Sequence, residues 1–394
     1  MTDRLDPERL RERLRAVDPI ASAGSVDKVE VIRAPGRVNL IGEHTDYNDG
    51  FVMPAAIGLE IRLALVPTQD RRVVITLDDT GEQGEFDLDA IGPATRGWID
   101  YVAGTAWALS EAGHAVRGFR ALLASDLPQG AGLSSSAAME MAAALALLGR
   151  STAEAVPVAD LARIGRRAEN AYVGVQSGVM DQFASAAGVA DHAILLDCRS
   201  LEYRAVPLPL PEVRLVVCHS GSPRRLEASA YNERLAECRR AVAAIETLEP
   251  SVRSLRDVDR ALLVAARDRM DGIAFDRASH VVDENARVLE TERALAAGDL
   301  AAVGALFAAS HRSLRDLYQV SSPELDALVE IATSVDGVIG ARLTGAGFGG
   351  STINLVRRDR IDALRRAIDR EYPPRTGLQP TVLDVDAVAG ADFM

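Results

Sequence analysis

Lysine is almost absent from this sequence of 394 residues, in which Lys28 is the only one and arginine supplies nearly all of the positive charge. A nucleotide site in this chain therefore has to hold phosphate without the lysine of a P-loop. Cysteine is scarce as well. Cys198, Cys218 and Cys238 are an odd number without a Cys-x-x-Cys pair, which favours neither a disulfide framework nor a zinc site. Free thiols are typical of cytoplasmic proteins, so we expect a cytoplasmic protein.

The sequence also lacks a long apolar run. The longest, around residues 137–148, is interrupted by Glu140 and is shorter than the roughly 20 residues that a transmembrane helix needs. The N-terminus is charged and has no apolar core of a secretion signal, so we expect neither export nor a membrane partner. The formal net charge of −13 and the isoelectric point near 5.1 argue against nucleic acid as a partner. An anionic substrate remains compatible with a local positive site.

Length and pattern together predict two domains and an α+β fold class. A chain of 394 residues exceeds the usual size of one compact domain. Pro207, Pro209 and Pro211 cluster near the middle of the chain and indicate a boundary. We therefore predict an N-terminal domain of residues 1–205 and a C-terminal domain of residues 206–394, with the second half richer in helix.

Apolar periodicity predicts the individual elements. Residues 29–34 and 37–42 are rich in strand-forming residues, and Pro35-Gly36 between them indicates a turn. Further strands are predicted at residues 59–66, 72–77, 193–197, 213–218, 339–343 and 351–356. Helices are predicted at residues 137–148, 158–172, 228–248, 281–297 and 300–317, and another is expected to start at Ser322-Pro323.

The first motif that carries chemistry is GRVNLIGEHTDYN, at residues 36–48. A strand places Arg37 at one end and the sequence Glu-His-Thr-Asp just beyond the other. Carboxylates accept several hydrogen bonds and imidazole either donates or accepts, which suits a polyol with many hydroxyl groups. The alternative is a polar strand end on the protein surface, because short motifs match by chance.

The second motif is LPQGAGLSSSAA, at residues 127–138, followed by an alanine-rich helical run. Its glycines let the backbone approach phosphate closely, and the helix N-terminus offers free N–H groups and a positive dipole end. The serine hydroxyls can cap the helix, bind phosphate or ligate Mg²⁺. The motif is not a Walker A sequence. The alternative is an ordinary loop with a serine cap.

The third motif is LTGAGFGG, at residues 343–350 between two predicted strands. Such a flexible turn can close over a bound nucleotide. A glycine pattern of this kind is weak evidence, and a plain hairpin is an equally good interpretation. A Rossmann dinucleotide site is excluded because no helix follows the glycines.

The three motifs, in this order, resemble those of the GHMP small-molecule kinase superfamily, named for galactokinase, homoserine kinase, mevalonate kinase and phosphomevalonate kinase. The first motif is similar to the galactokinase signature. The stretches at residues 168–170, 178–183, 231–234 and 315–318 are also similar to galactokinases. Asp49 is a departure, since galactokinases more often carry glycine or another small or polar residue there. The resemblance implies a two-domain GHMP kinase fold with the active site in the interdomain cleft.

The resemblance also implies roles for particular residues. Asp181 is the implied catalytic base, and Arg37 stabilises Asp181 and the transferring phosphoryl group. Mg²⁺ is held by Ser136 and Glu169. The implied sugar-binding residues are Glu43, His44, Thr45, Asp46, Gly178, Asp181 and Tyr231. The implied ATP-binding residues are Gly130, Ala131, Gly132, Leu133, Ser134, Ser135 and Ser136.

The implied reaction is transfer of the γ-phosphoryl group of ATP to the C1 hydroxyl of galactose, with Mg²⁺ as cofactor, in a monomeric protein. Two alternatives stay open. The first is a related sugar 1-kinase that acts on N-acetylgalactosamine or L-arabinose, although Glu43 favours a sugar with a free C2 hydroxyl. The second is a galactose and ATP sensor without catalysis. The intact serines at residues 134–136 and the presence of Asp181 argue against a sensor.

Overall fold

The computed structural model describes residues 3–23, 28–128, 130–222 and 227–394. The strands in these ranges are short to medium in length, with β3 the longest. In chain order they are β1 (Glu30–Asn39), β2 (Phe51–Val52), β3 (Pro54–Pro67), β4 (Arg72–Leu77), β5 (Gln83–Asp87), β6 (Phe119–Ser125), β7 (His192–Asp197), β8 (Tyr203–Pro207), β9 (Val213–His219), β10 (Val338–Thr344), β11 (Ser351–Arg357), β12 (Thr381–Val385) and β13 (Asp392–Phe393).

The helices of the described ranges lie between these strands, and the longest, α10, belongs to the second half. They are α1 (Pro7–Val17), α2 (Pro19–Ala23), α3 (Asp100–Glu111), α4 (Ser135–Leu148), α5 (Arg150–Ala153), α6 (Val158–Arg167), α7 (Met180–Ala187), α8 (Glu227–Glu246), α9 (Arg260–Ala265), α10 (Gly272–Ala296), α11 (Leu300–Ser313), α12 (Pro323–Ser334) and α13 (Ile361–Thr376). Their alternation with strands gives the α+β class that the sequence predicts.

The strands form three sheets. The largest has the order β13-β1-β3-β6-β4-β5, the second β10-β11-β9-β12 and the third β2-β7-β8. β1, β3 and β6 are antiparallel neighbours, whereas β4 runs parallel to β6. Because β13 pairs with β1, the end of the chain returns to the sheet in which the chain began.

Both faces of the six-stranded sheet are covered by helices. Successive side chains of a strand point to opposite faces, and β1 shows the consequence. Val31 packs with Leu10 and Leu14 of α1 on one face. The neighbouring Ile32 belongs to the larger core on the other face, which includes residues of α3 and α4. The sheet is therefore the middle layer of the first half.

α4 is apolar on every side, and this explains its position. Eleven of its fourteen residues are buried, and a helix without a polar face is stable only inside a protein. Glu140 is the buried exception, with no exposed surface. The burial of α4 fixes its N-terminus, at Ser135, at the edge of the cleft described below.

The second half contains two further apolar clusters. One lies between the four-stranded sheet and the helices α12 and α13, with Leu328 and Tyr372 fully buried in it. The other joins α8 to α10 and includes Tyr318 and Leu343. The helix start expected at Ser322 is confirmed, because its hydroxyl caps α12 and Pro323 is the first helical residue.

The helix predicted over residues 281–297 begins earlier, at Gly272. In three further places the type or continuity of the predicted element differs. The turn expected at Pro35-Gly36 is instead a shift of register between Pro35 and Arg37 inside the continuous strand β1. The helix expected over residues 158–172 is α-helical only to Arg167 and continues as a π-helix over Ala168–Val173. The helix expected over residues 300–317 likewise becomes a π-helix at Leu314–Tyr318.

The predicted boundary at residue 205 falls inside β8. The chain passes from the three-stranded to the four-stranded sheet between Pro207 and Val213, which is the segment that contains the proline cluster. The division into two domains stays a prediction. None of the helices in the described ranges combines the length and the apolar character that crossing a membrane requires.

Candidate active site

A cleft of about 370 Å³ brings the three motifs together. Every site residue predicted from the sequence lines this cleft except Thr45 and Ala131. The Thr45 hydroxyl instead bonds to the carbonyl oxygens of Gly42 and Phe51 inside its own loop. Ala131 is buried, and its carbonyl oxygen accepts a hydrogen bond of 2.7 Å from the hydroxyl of Ser351. These two residues therefore shape the loops and do not face the cleft.

Arg37 and Asp181 form a bidentate ion pair at the centre of the cleft. Arg37 Nε donates to Asp181 Oδ1 and Nη2 donates to Oδ2, each over 2.7 Å. Arg37 Nη1 also donates to the carbonyl oxygen of Gly132 over 2.7 Å. The guanidinium thus fixes Asp181, in the first turn of α7, relative to the glycine-serine loop.

Ser134 has a different contact from the one expected of a phosphate-binding serine. Its hydroxyl donates to Asp181 Oδ2. Its backbone is left-handed, with a φ of 60°, which is uncommon outside glycine. Because the Ser134 side chain makes no capping bond to α4, the first N–H groups of α4 are left for another partner.

The N-terminus of α4 opens onto the cleft. Ser135 is exposed and Ser136 half-buried, and both line it. The first N–H groups of a helix have no partner within the helix, and the helix dipole places partial positive charge there. The first turn of α4 contains no acidic residue. This end of the helix is therefore suited to bind an anion such as phosphate.

Glu169 is presented by the π-helix that follows α6. Its carboxyl group is nearly buried and accepts hydrogen bonds at one oxygen, Oε2, from the Ser177 hydroxyl and from Gln182 Nε2, the latter over 3.0 Å. The Ser136 side chain also bonds to this carboxyl. Burial raises the pKa of Glu169. Carboxylate and hydroxyl oxygens are ligands that suit Mg²⁺, so Glu169 and Ser136 fit a magnesium ion.

The cleft is acidic. Among the described residues that line it, Arg37 is the only arginine or lysine, whereas Glu43, Asp46, Glu169 and Asp181 are carboxylic acids. Burial, together with the nearby charge of Asp181, raises the pKa of Asp46 to about 6. A triphosphate entering this cleft would meet net negative charge from these carboxyl groups.

Asp46 and Gly178 are packed against each other in the cleft. A Cβ atom added at Gly178 would lie 1.8 Å from Asp46 Oδ2. Only glycine permits this approach, so Gly178 fixes the position of the Asp46 carboxyl group. Tyr231 borders the same space, with its ring centroid 5.7 Å from that of His44 and 5.1 Å from that of Tyr47.

Both ring nitrogens of His44 are occupied by protein groups. Nε2 lies 3.1 Å from the carbonyl oxygen of Ala346, and Nδ1 lies 2.8 Å from the hydroxyl of Tyr47. A carbonyl oxygen only accepts, so Nε2 carries the hydrogen and Nδ1 accepts from Tyr47. Burial lowers the pKa of His44 to about 3, which makes the ring neutral. His44 therefore connects the first motif to the third.

Glu43 is held by a residue that the sequence analysis missed, Arg342. Glu43 Oε1 accepts from the backbone N–H of Gly345 over 2.9 Å, and Oε2 accepts from Asn39 Nδ2 over 2.9 Å and from Arg342. Burial raises the pKa of Glu43, and the charge of Arg342 opposes this. The sequence contained one signal for this role. Arg342 is a single arginine in a predicted buried strand, and a buried charge almost always has a partner of opposite charge.

Arg342 connects the two halves of the chain. It has no exposed surface, and its Nη1 donates to the carbonyl oxygens of Asn39 over 3.1 Å and Leu40 over 2.9 Å. Its Nε donates to the Ser310 hydroxyl over 3.2 Å. The end of β1 is thereby fixed to β10, and with it the loop that carries Glu43.

Comparison with known protein families gives the class. The family described as "Galactokinase galactose-binding signature" matches residues 23–67. "GHMP kinases N terminal domain" matches residues 100–189, and "GHMP kinases C terminal" matches residues 291–374. A crystal structure of mevalonate kinase from Methanococcus jannaschii shares the fold, with a TM-score of 0.62 at 18% identity, covering 91% of this chain and 98% of that one. The fold is that of a GHMP kinase.

Closer relatives give the family within that class. A protein of Roseiflexus sp. (strain RS-1) named galactokinase is 48% identical over 360 residues, which cover 89% of this chain and 90% of the relative. A galactokinase of Chloroflexus aurantiacus is 44% identical, covering 91% of this chain and 92% of the relative. The crystal structure of Lactococcus lactis galactokinase complexed with galactose superposes with a TM-score of 0.91 at 37% identity, covering 98% of both chains. The chain belongs to the galactokinase family.

Proposed function

We propose that this protein transfers the γ-phosphoryl group of ATP to the C1 hydroxyl of α-D-galactose and releases α-D-galactose 1-phosphate and ADP. The observation that carries the proposal is the position of the Arg37–Asp181 pair between two unlike surfaces. The pair bonds to Gly132 and Ser134 of the glycine-serine loop, and the charge of Asp181 also acts on Asp46 of the first motif. A phosphoryl donor and a sugar acceptor would meet at this pair.

Asp181 is the group that would accept the proton of the C1 hydroxyl. Its side chain is 29% exposed, so a substrate in the cleft can reach it. The bidentate bonds from Arg37 and the bond from Ser134 hold the carboxylate in one orientation. Phosphoryl transfer depends mainly on alignment and on stabilised oxygen charge, and such an orientation supplies the first.

The phosphates of ATP would bind at residues 130–136 and at the first turn of α4. The backbone N–H groups there would donate to phosphate oxygens, and Arg37 lies close enough to the loop to stabilise the transferring group. Ser136 and Glu169 would hold Mg²⁺, which neutralises charge on the β- and γ-phosphates. The scarcity of positive side chains in the described lining supports this requirement for Mg²⁺.

The sugar would bind between Asp46, Tyr231 and the backbone of Gly178. Asp46 offers acceptor oxygens to sugar hydroxyl groups, and the packing of Gly178 against it fixes their position. The protein bonds of His44 and Glu43 suggest that these two residues shape the pocket as much as they contact the sugar. All five belong to the sugar site that we propose.

A panel of sugars tests the proposed reaction. The protein would be incubated with ATP, Mg²⁺ and either galactose, N-acetylgalactosamine, L-arabinose or glucose, with ADP release as the rate and ³¹P NMR for the position of the phosphate. We expect the largest kcat/KM for galactose and a phosphate on C1. A larger value for another sugar would establish a sibling kinase. Binding of galactose without ADP release would establish a sensor.

We also propose a cytoplasmic monomer. The three cysteines are free and buried, which agrees with a reducing compartment. Light scattering of the purified protein tests the oligomeric state, and a mass of about twice 42.0 kDa would overturn the proposal of a monomer. Fractionation of cells of the source organism tests the compartment.

A further inference from the structure

Gln182 is a buried neighbour of the proposed base and has no role in the proposed reaction so far. It follows Asp181 directly in the first turn of α7, and its side chain has no exposed surface. Gln182 Nε2 donates to Glu169 Oε2 over 3.0 Å and to Glu140 Oε2 over 2.9 Å. Both hydrogens of one amide nitrogen are thus used to bridge two carboxyl groups.

The two hydrogen bonds on Glu169 meet at the same oxygen. Ser177 and Gln182 both donate to Oε2, and neither donates to Oε1. The remaining partner of the carboxyl is the Ser136 side chain. Glu169 and Ser136 are the two residues that we assign to Mg²⁺, so the bonds at Oε2 orient the other oxygen for the cation.

Glu140 anchors the amide from the other side. It lies four residues after Ser136 in α4, and residues at this spacing share one face of a helix. Glu140 is fully buried, so the carboxyl group cannot follow Gln182 if the amide moves. The Ser136 hydroxyl and the anchor of Gln182 are therefore parts of one rigid helix.

The Gln182 side chain is tightly packed along its length. Gly165 of α6 packs against it, and a Cβ atom added there would lie 2.9 Å from Gln182 Cγ and 3.4 Å from Glu140 Oε2. α4, α6 and α7 thus enclose the bridge on three sides. Metal ligands in proteins depend on such supporting hydrogen bonds for their orientation.

We propose that Gln182 is a positioning residue for the cation-binding carboxylate, acting through Glu169 and anchored by Glu140. The proposal rests on the proposed function, because it presumes that Glu169 ligates Mg²⁺ beside ATP. Since Asp181 and Gln182 are consecutive, one turn of α7 then sets both the base and the metal ligand. A purely structural role for the same network would stabilise the fold without affecting cation affinity.

The experiment measures cation affinity without turnover. Mn²⁺ would be titrated into the full-length protein saturated with a non-hydrolysable ATP analogue, and free Mn²⁺ would be followed by electron paramagnetic resonance. Gln182→Met keeps the length of the side chain and removes both hydrogen bonds. We expect a 10–100-fold loss of Mn²⁺ affinity, the usual cost of losing a supporting bond, while galactose affinity measured by calorimetry changes less than two-fold.

Two further variants provide a second test of the proposal and a control. Ser177→Ala removes the other bond to Glu169 Oε2 from a half-buried site, and it should lower Mn²⁺ affinity in the same direction even if Gln182→Met fails to fold. Gln83→Met makes the same chemical change on the exposed strand β5 and should leave Mn²⁺ affinity at the parent value.

Unchanged Mn²⁺ affinity in folded Gln182→Met, or in Ser177→Ala when the first variant does not fold, would overturn the proposal. Loss of melting temperature with unchanged Mn²⁺ affinity would assign the network to stability alone. Failure of the proposed function gives a separate result. In that case the parent protein itself would not phosphorylate galactose and would not bind Mn²⁺ together with the ATP analogue.

Discussion

The two sides of the cleft are built differently. On the sugar side, Glu43 and His44 are 1% and 5% exposed, and their polar atoms bond to protein groups from distant parts of the chain. On the phosphate side, Gly130 and Ser135 are exposed and the first N–H groups of α4 lack a capping side chain. In the assignment that we propose, the sugar side is therefore formed before substrate arrives, whereas the phosphate side is completed by its ligand.

The difference follows from the charge of each proposed ligand. Galactose is neutral, so its recognition depends on donors and acceptors held in fixed positions, and a rigid network supplies them. MgATP brings both negative charge and the cation that offsets it. A site for MgATP can therefore remain open and acidic until the nucleotide and Mg²⁺ bind together.

Asp181 lies where the two sides meet, and its replacement has the largest expected effect. Asp181→Asn keeps the shape of the side chain but cannot take a proton. We expect kcat to fall by about 10²–10⁴, the usual contribution of general base catalysis, while galactose still binds. Steady-state kinetics and calorimetry on one preparation measure both quantities.

Asp160→Asn serves as the control for Asp181→Asn, because Asp160 is an exposed carboxylate paired with Arg163 on α6. This control should keep the parent kcat. A near-normal kcat in Asp181→Asn, with a lowered melting temperature, would show that Asp181 only holds the cleft together. Alignment and Mg²⁺ would then account for catalysis.

Breaking the buried ion pair between Arg342 and Glu43 on the sugar side should lower the free energy of unfolding. Arg342→Met leaves the Glu43 carboxylate buried without its cation, and removing one partner of a buried ion pair costs about 3–5 kcal/mol. Urea denaturation measures the change in the free energy of unfolding. We expect the double variant Arg342→Met with Glu43→Gln to recover part of the loss. Equal stability of Arg342→Met and the parent would contradict a preformed sugar side.

Asp46→Ala tests the sugar side at a residue that faces the cleft. The loss of its acceptor oxygens should weaken galactose binding by about 1–3 kcal/mol, because sugar hydroxyl groups are left without partners. Affinity for the ATP analogue should stay within two-fold of the parent, since the two sides are separate. Calorimetry with each ligand measures the split. An equal loss for both ligands would show that the two sides act as one unit.

The pH dependence of galactose binding has the smallest expected effect. With the pKa of Asp46 at about 6, the fraction of ionised Asp46 falls about four-fold between pH 7.5 and pH 5.5. Galactose affinity should fall by the same factor if the ionised form is the acceptor. Asp46→Asn should bind more weakly at all pH values and should lack this dependence.

The same shift predicts the sign of a stability change. The pKa of Asp46 is higher in the folded chain than its usual value of 3.8, so protonation favours the folded state. This contribution is present at low pH and is lost as the pH rises through about 6. Asp46→Asn resembles the protonated form. It should therefore melt at a higher temperature than the parent at pH 8, by a margin that narrows as the pH falls below about 6 and closes below the usual pKa of 3.8.

About half of the regular elements were predicted from local sequence patterns, whereas others, such as β6 and the helix α7 that carries Asp181, were not. The alternation over residues 72–77 and the all-apolar run that forms α4 correspond closely to observed elements. The failures have a common cause. The bulge at Pro35–Arg37 and the π-helix at Ala168–Val173 depend on contacts with distant residues, such as the bond from the Arg37 N–H to the carbonyl of Leu133. Local propensity does not contain those contacts.

The structure accounts for Asp49, the residue at which this sequence departs from the galactokinase pattern. Its backbone is left-handed, with a φ of 58°. Glycine adopts this conformation readily, and aspartate is among the few other residues that tolerate it. The structure thus explains why the resemblance favours a small or polar residue at this position and why Asp49 fits it.

The sequence by itself determined the three motifs, the family and the residue types available for chemistry, because these depend on the order and spacing of side chains. Only the tertiary structure decided how these side chains are used. It paired Ser134 with Asp181, His44 with Ala346, and Glu43 with Arg342, which is 299 residues away along the chain. Buried polar groups require partners, and packing across the whole chain decides which partners lie within reach.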